Sequence, residues 1–271
     1  MTADPSYQGD VSMFSVGTVL ARSFSTFFKH PFVFLALSFL SQVPGIVIMV
    51  LARNPVTVLQ VVSIINGVFG LAIQGAIAYG VYEVFRGYAA PLGKSLSRGM
   101  ARLIPLIFAV LACSVVFILI GIGCLLLVYM LKVFLPSLIM ILIGLPIFAL
   151  WCKWSVFVPA CVVERLGPIE SLSRSSVLTK GCRLKISGLY LLCFAIMYVA
   201  SLIFSFIAGA LVVWLMKILG VTLGIVFFVV IQQLILAVPA AFIHVVTAVI
   251  YYGLRESKEG VDIEHLVNVF D

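Results

Sequence analysis

The sequence predicts an all-α integral membrane protein of six transmembrane helices, paired as three helical hairpins, each preceded by a cytoplasmic interfacial amphipathic helix. Three observations carry that expectation. Of the 271 residues, 63% are apolar and only 10% charged, whereas soluble domains run at roughly 45–50% and about 25%. Six apolar runs each exceed the ~20 residues that a helix needs to cross a hydrocarbon core of ~30 Å. Three short segments sharing a Leu-x-Arg element stand at constant spacing ahead of the odd-numbered runs.

The runs are Pro31–Ala52, Val56–Phe85, Leu103–Leu131, Phe134–Val163, Ile186–Met216 and Val221–Tyr252. Barrel strands need only about 10 alternating residues, so runs of this length read as helices. Helices also satisfy their own backbone hydrogen bonds in lipid. A mean hydropathy of +1.27 excludes a multi-domain soluble enzyme, because too few charged side chains exist to cover one. The longest polar stretch between runs, Glu164–Lys185, is too short for a separate soluble domain, so the whole chain, 1–271, reads as one membrane domain. Met1–Asp10 has no basic residue and no apolar run, unlike a signal peptide.

Basic residues set the orientation. Arg22 and Lys29 precede the first run. Arg86, Lys94, Arg98 and Arg102 join the second to the third. Arg165, Arg174, Lys180, Arg183 and Lys185 join the fourth to the fifth, and Arg255 and Lys258 follow the sixth. The other side holds Arg53, Lys132 and Lys217. The positive-inside rule therefore places both termini in the cytoplasm. The net charge of +7 is spread over short loops beside membrane ends, so it points to anionic lipid headgroups rather than nucleic acid.

The short segments are VGTVLARSFSTFFKHP from Val16, LGKSLSRGMARLIP from Leu92 and IESLSRSSVLTKGCRL from Ile169. Aligning Leu20, Leu96 and Leu172 superposes Arg22, Arg98 and Arg174 at a constant offset of 76 residues. The expected repeats are 14–88, 89–165 and 166–255, with 256–271 as a cytoplasmic tail. Each segment predicts an amphipathic surface helix. Val16, Leu20, Phe24 and Phe27 give the apolar face of the first, and Leu92, Leu96, Met100 and Leu103 that of the second. Ile169 and Leu172 fit the third, where Ser175 and Ser176 interrupt the face. Pro91 and Pro168 suit helix starts, and Gly181 suits a helix end.

The stretch Val162–Ile186 contains Glu164, Gly167-Pro168, Ser171, Ser175, Leu178, Thr179, Lys180 and Gly181 ahead of a long apolar run. It resembles the signature of the membrane domain of some glycerophosphodiester phosphodiesterases and of related uncharacterised polytopic bacterial membrane proteins. The resemblance covers about 25 residues and implies an integral bacterial inner-membrane bundle with a lipid-related role. It does not imply phosphodiesterase activity, which in those proteins belongs to a separate soluble barrel; no stretch of this sequence reads as one.

Several residues invite a functional role. Arg22, Arg98 and Arg174 form a candidate set for lipid headgroups, since a guanidinium grips phosphate with a planar fork. Lys153, between Trp151 and Trp154, reads either as a lipid-phosphate contact or as a snorkelling side chain in an aromatic belt. Gln74, Gln232 and His244 are candidates for a polar cavity; as interhelical hydrogen-bond residues they are ordinary. Ala72, Ala76 and Gly80, and likewise Ser201, Ser205 and Gly209, form small-residue stripes suited to close helix packing. Glu83 and Arg86 have pairing distance on a helix. The six cysteines form no CxxC pair and read as apolar fillers. Neither a metal nor a cofactor is expected. Ile263, Leu266, Val267 and Phe270 give the tail a short apolar face that could dock a cytoplasmic protein.

No GxSxG, HExxH or P-loop occurs in the sequence. The expectation is a non-enzymatic protein that organises or responds to membrane lipids, alone or with a protein partner. The alternative is a transporter or lipid-moving protein with a cavity between the hairpin repeats.

Overall fold

The computed structural model describes residues 15–51, 58–130 and 136–260, and all elements found there are helices. They are α1 (Val16–Lys29), α2 (Pro31–Leu51), α3 (Leu59–Phe85), α4 (Leu92–Ala101), α5 (Leu103–Met130), α6 (Pro136–Lys153), α7 (Phe157–Val163), α8 (Pro168–Leu178), α9 (Arg183–Leu219) and α10 (Val221–Glu259). Six stretches are long and apolar enough to cross a membrane: Pro31–Leu51, Leu59–Phe85, Leu103–Leu127, Pro146–Val163, Arg183–Ile218 and Val226–Glu259.

The fourth crossing is not the single helix expected over Phe134–Val163. It breaks at Trp154–Val156, between α6 and α7. Pro159 supplies the physical reason. In an unbroken helix its ring would press on the carbonyl of Ser155, four residues back, and no N–H would answer that carbonyl. Restarting the helix just upstream puts Pro159 in a first turn, where its N–H is not needed.

The broken ends are then satisfied by α8. The Ser175 hydroxyl donates to the Lys153 carbonyl at 3.0 Å and accepts from the Val156 N–H at 3.3 Å. The Thr179 hydroxyl donates to the same carbonyl at 3.1 Å. Both side chains are fully buried. Ser175 therefore does not weaken the face of α8; it is the face of α8. Ser171 and Leu178 are buried beside it, whereas Ile169, expected on the apolar face, is 76% exposed.

The second short helix differs in the same way. α4 buries Ser95 and Gly99, while Leu92 and Met100 are exposed. Its seat is the small-residue stripe of α3. A Cβ built on Gly99 would run into the Ala72 carbonyl oxygen and stand 2.7 Å from the Ala76 nitrogen. Ser95 Oγ would lie 3.4 Å from a Cβ on Gly80. The expected stripe on the fifth crossing behaves otherwise, because the space beside Gly209 is open.

The three short helices start at Val16, Leu92 and Pro168, each 76 residues after the one before. They bury the same two register positions, occupied by Val19, Ser95 and Ser171, and by Ser23, Gly99 and Ser175. Their main seats also follow an order: α4 packs on α3, α8 on α7 and α1 on α10. Each thus rests on an even-numbered crossing. α2 packs on α3, α5 on α6, and α9 on α10, while α10 also reaches across to α2 and α3.

The main core lies in the half of the bundle nearest these short helices. Phe34 and Leu37 of α2, Ile73 and Ile77 of α3, Ile186 and Tyr190 of α9, and Val245 and Ile250 of α10 all belong to it. Phe24 and Phe27 of α1 insert against Phe242, and Tyr82 stacks on Tyr252. Polar side chains cross between helices where they find partners. Asn66 donates to Gln42 at 3.0 Å, Ser38 to the Ala237 carbonyl at 2.6 Å, and Tyr190 bonds Thr247 at 2.9 Å. The opposite half of α9 leaves Leu202, Phe204, Phe206 and Ile207 exposed, an apolar surface of the kind that lipid covers.

Candidate functional site

The last turns of α10 carry Tyr251, Arg255, Glu256, Lys258 and Glu259 at the end of the bundle where the short helices gather. Helical spacing lets Arg255 Nε donate to Glu259 Oε2 at 3.0 Å. Glu164, which ends α7, faces the same point. It accepts from Arg174 Nε at 2.8 and 3.1 Å and from the Tyr251 hydroxyl at 2.6 Å. Arg255 stands 3.9 Å from it, and the Arg174 fork also reaches Glu259. Two arginines and two carboxylates from α7, α8 and α10 thus close into a balanced network. Their side chains are only 18–27% exposed, so water screens them less than it would a surface pair. Partial burial alone would lower the Arg174 guanidinium; its hydrogen bonds to Glu164 and Glu259 outweigh that and hold it above its ordinary value. Lys258 caps the end of α8 by donating to the Val177 and Lys180 carbonyls at 2.9 and 2.6 Å.

The three repeated arginines do not form one ring of free guanidinium groups. Arg174 is held in the network just described. Arg22 pairs with Glu256 at 2.7 Å, with both side chains near half exposure. Arg98 lies over the ring of Tyr79, 5.8 Å from its centre. Arg22 and Arg174 thus each meet a glutamate near the end of an even-numbered crossing, Glu256 and Glu164. Glu83 is buried. Among the described residues no ion pair joins it to Arg86, contrary to expectation. Arg86 stands just past the last helical residue of α3, and its guanidinium lies over Tyr82 and Tyr88 instead.

Arg98 has different company from the other two. With Arg102 and Arg165 it lines a cleft of about 280 Å³ whose remaining walls are Ala101 and Val162. Among the described residues no carboxylate forms an ion pair with any of these three arginines. Arg165 is also the one non-glycine residue with positive φ among them, at 57°, a conformation that costs an L-residue roughly 1–2 kcal/mol. Neither Arg102 nor Arg165 was singled out by the sequence. The signal that could have found them is a basic residue at the exit of each surface segment or crossing with no acidic residue at helical pairing distance.

The remaining candidates stand apart. Lys153 ends α6 with its ammonium 5.6 Å from the Trp154 ring centre, and its carbonyl is the group that α8 engages. Gln232 accepts from Ser205 at 3.0 Å, between α10 and α9. Gln74 is half-buried on α3. His244 lies on α10 with Nδ1 buried and unpartnered. The cleft of Arg98, Arg102 and Arg165 is lined by none of these four. Ile263, Leu266, Val267 and Phe270 lie outside the described residues. Five of the six cysteines are buried, no disulfide joins any of the six, and no group of three metal-ligating side chains comes together among the described residues.

Comparison with protein-family models, with curated proteins and with solved structures finds no match for this chain.

Proposed function

We propose that the chain is a non-enzymatic, multi-pass protein of a bacterial inner membrane that binds anionic lipid at its cytoplasmic end. The observation that carries this is the Arg98–Arg102–Arg165 cleft, where three arginines line one space and none is ion-paired to a carboxylate among the described residues. Such a site attracts a phosphate group, because the arginine fork matches its oxygens. The basic residues concentrated at this end favour the cytoplasmic side. Val162–Ile186, with its likeness to membrane domains associated with lipid metabolism, lies along the same end.

The architecture belongs to the proposal. Three repeats, each an amphipathic surface helix followed by a hairpin, form a closed cycle in which every surface helix sits on the preceding repeat. In support, the three short helices share starting register and buried positions, and α1 completes the cycle on α10. The network of Glu164, Arg174, Arg255 and Glu259 acts as a latch between repeats. Transport has weaker support, since Gln74, Gln232, His244 and Lys153 sit in four separate settings.

Reconstitution tests this function. The purified full-length protein is incorporated into nanodiscs of phosphatidylcholine containing a minority of phosphatidylglycerol, then released for native mass spectrometry. Retained lipid enriched in phosphatidylglycerol over the bulk composition supports the proposal. Retention matching the bulk refutes it. With the six native cysteines replaced by alanine, labelling of single cysteines introduced at Thr18 and Lys258 from one side of sealed vesicles tests the orientation.

A further inference from the structure

A second, apolar space is lined by the chain segments that follow those of the arginine cleft. Arg102 stands immediately before α5. Along α5, Phe108, Leu111, Ala112 and Val115 form one wall of an open groove of about 560 Å³, and residues 167–170 at the start of α8 form the other. One residue, Leu166, separates Arg165 from that second wall. The same two segments, the α4–α5 junction with α5 and the turn from α7 into α8, therefore border both spaces. At 1.5 Å per helical residue, Phe108 to Val115 run from about 9 to about 20 Å beyond Arg102, a span that takes in most of one leaflet's ~15 Å of hydrocarbon. The single carboxylate in the groove wall, Glu170, is turned back onto its own helix start, where it accepts the Gly167 N–H at 2.9 Å. Phe108, Leu111, Val115 and Ile169 are each more than half exposed there.

We propose that one anionic phospholipid occupies both spaces, its phosphate held by Arg98, Arg102 and Arg165 and one acyl chain laid along α5 against Pro168 and Ile169. A free phosphate would satisfy the arginines and leave the groove bare; a phospholipid matches both parts in the order in which they occur. Arg165 is the positioning device. Its left-handed backbone turns the chain between α7 and α8, so that one residue both shapes the junction and supplies charge to it. This inference rests on the proposed lipid-binding function and names its site.

The test uses the full-length protein and three variants, each checked for an unchanged melting transition. R102Q/R165Q removes charge. R165G removes the charge while relieving the positive φ, so its fold is not at risk from backbone strain. A112W fills the groove and leaves the arginines alone. Phosphatidylglycerol, phosphatidylcholine and inorganic phosphate are titrated separately and read by native mass spectrometry. The wild type is expected to hold one phosphatidylglycerol, R102Q/R165Q to bind it roughly thirtyfold more weakly, and both R165G and A112W to lose it measurably. Inorganic phosphate displacing that lipid from the wild type at equal concentration would overturn the lipid assignment in favour of a free anion. If the wild type selects phosphatidylglycerol but all variants retain it equally, the site is wrong and the proposed function stands. No selection by the wild type removes both.

Discussion

Substituting Gly99 by alanine isolates the docking of α4 on α3. The added Cβ meets the Ala72 carbonyl oxygen and lies 2.7 Å from the Ala76 nitrogen, whereas ordinary contact begins near 3.4 Å. The obstruction is backbone on a packed helix and has no rotamer by which to yield. α4 must therefore retreat by at least 0.7 Å, the difference between those two distances. Overpacking of this kind costs about 1–3 kcal/mol. Gly93 on the same helix is the control, since nothing lies within 4 Å of a Cβ placed there. Both substitutions change helix propensity in the same direction by at most about 1 kcal/mol, so the comparison largely cancels that gain. Unfolding by titration with sodium dodecyl sulfate should show G99A less stable than G93A by about 1–3 kcal/mol. Because Arg98 and Arg102 ride on the end of α4, G99A should also weaken phosphatidylglycerol retention while G93A leaves it intact. Stabilities agreeing within about 0.5 kcal/mol, the scatter of ordinary surface substitutions, would refute the close approach.

Three further outcomes follow from the same contacts. The double variant S175A/T179V leaves the Lys153 carbonyl without its hydroxyl donors and should cost about 1–3 kcal/mol in the same titration; an unchanged midpoint would show that the helix break needs no support from α8. R174Q breaks a partly buried network and should destabilise clearly more than R22Q, whose half-exposed pair is worth at most about 1 kcal/mol; a double-mutant cycle with E164Q reads the difference, and equal losses would contradict the burial argument. K153A removes only an ammonium beside Trp154 and keeps the carbonyl, so its effect should stay within about 1 kcal/mol, whereas a larger loss of stability or of bound lipid would give that side chain a role the structure does not assign.

The number of crossings was legible because lipid imposes a single requirement, about 20 apolar residues per helix, and the sequence meets it six times. The interruption of the fourth was not read, although Pro159 stood in view. A proline inside an apolar run is compatible with a kinked helix as well as with a break, and what decides is whether a neighbour supplies hydroxyls. Ser175 and Thr179 supply them, but as letters they looked like polar intrusions on an apolar face. The same limit applies to α4. Periodicity identified Leu92, Leu96 and Met100 as its apolar side, yet the surface it packs against is backbone at Ala72 and Ala76, which favours Gly99 and Ser95 over anything larger. Small residues carry little hydropathy signal, so close helix contacts are under-reported by patterning. The arginine offset of 76 was visible, but its meaning depended on which glutamates Arg174 and Arg22 met, and those lie 10 residues away for Arg174 and 234 for Arg22.

The seat of α1 has a consequence for the order of assembly. α4 and α8 follow their seats along the chain, so each can dock as soon as it emerges. α1 precedes its seat by all the other helices. At roughly 5–20 residues per second of synthesis, the end of α10 appears on the order of 10–50 s after α1 does. Through that interval Phe24 and Phe27 have no Phe242 to pack against, and Arg22 has no Glu256. A helix that must wait this long needs a temporary host, and the membrane surface is the one at hand. Closure by α1 then follows the synthesis of α10, and a chain released before α10 is complete carries an apolar helix without its seat.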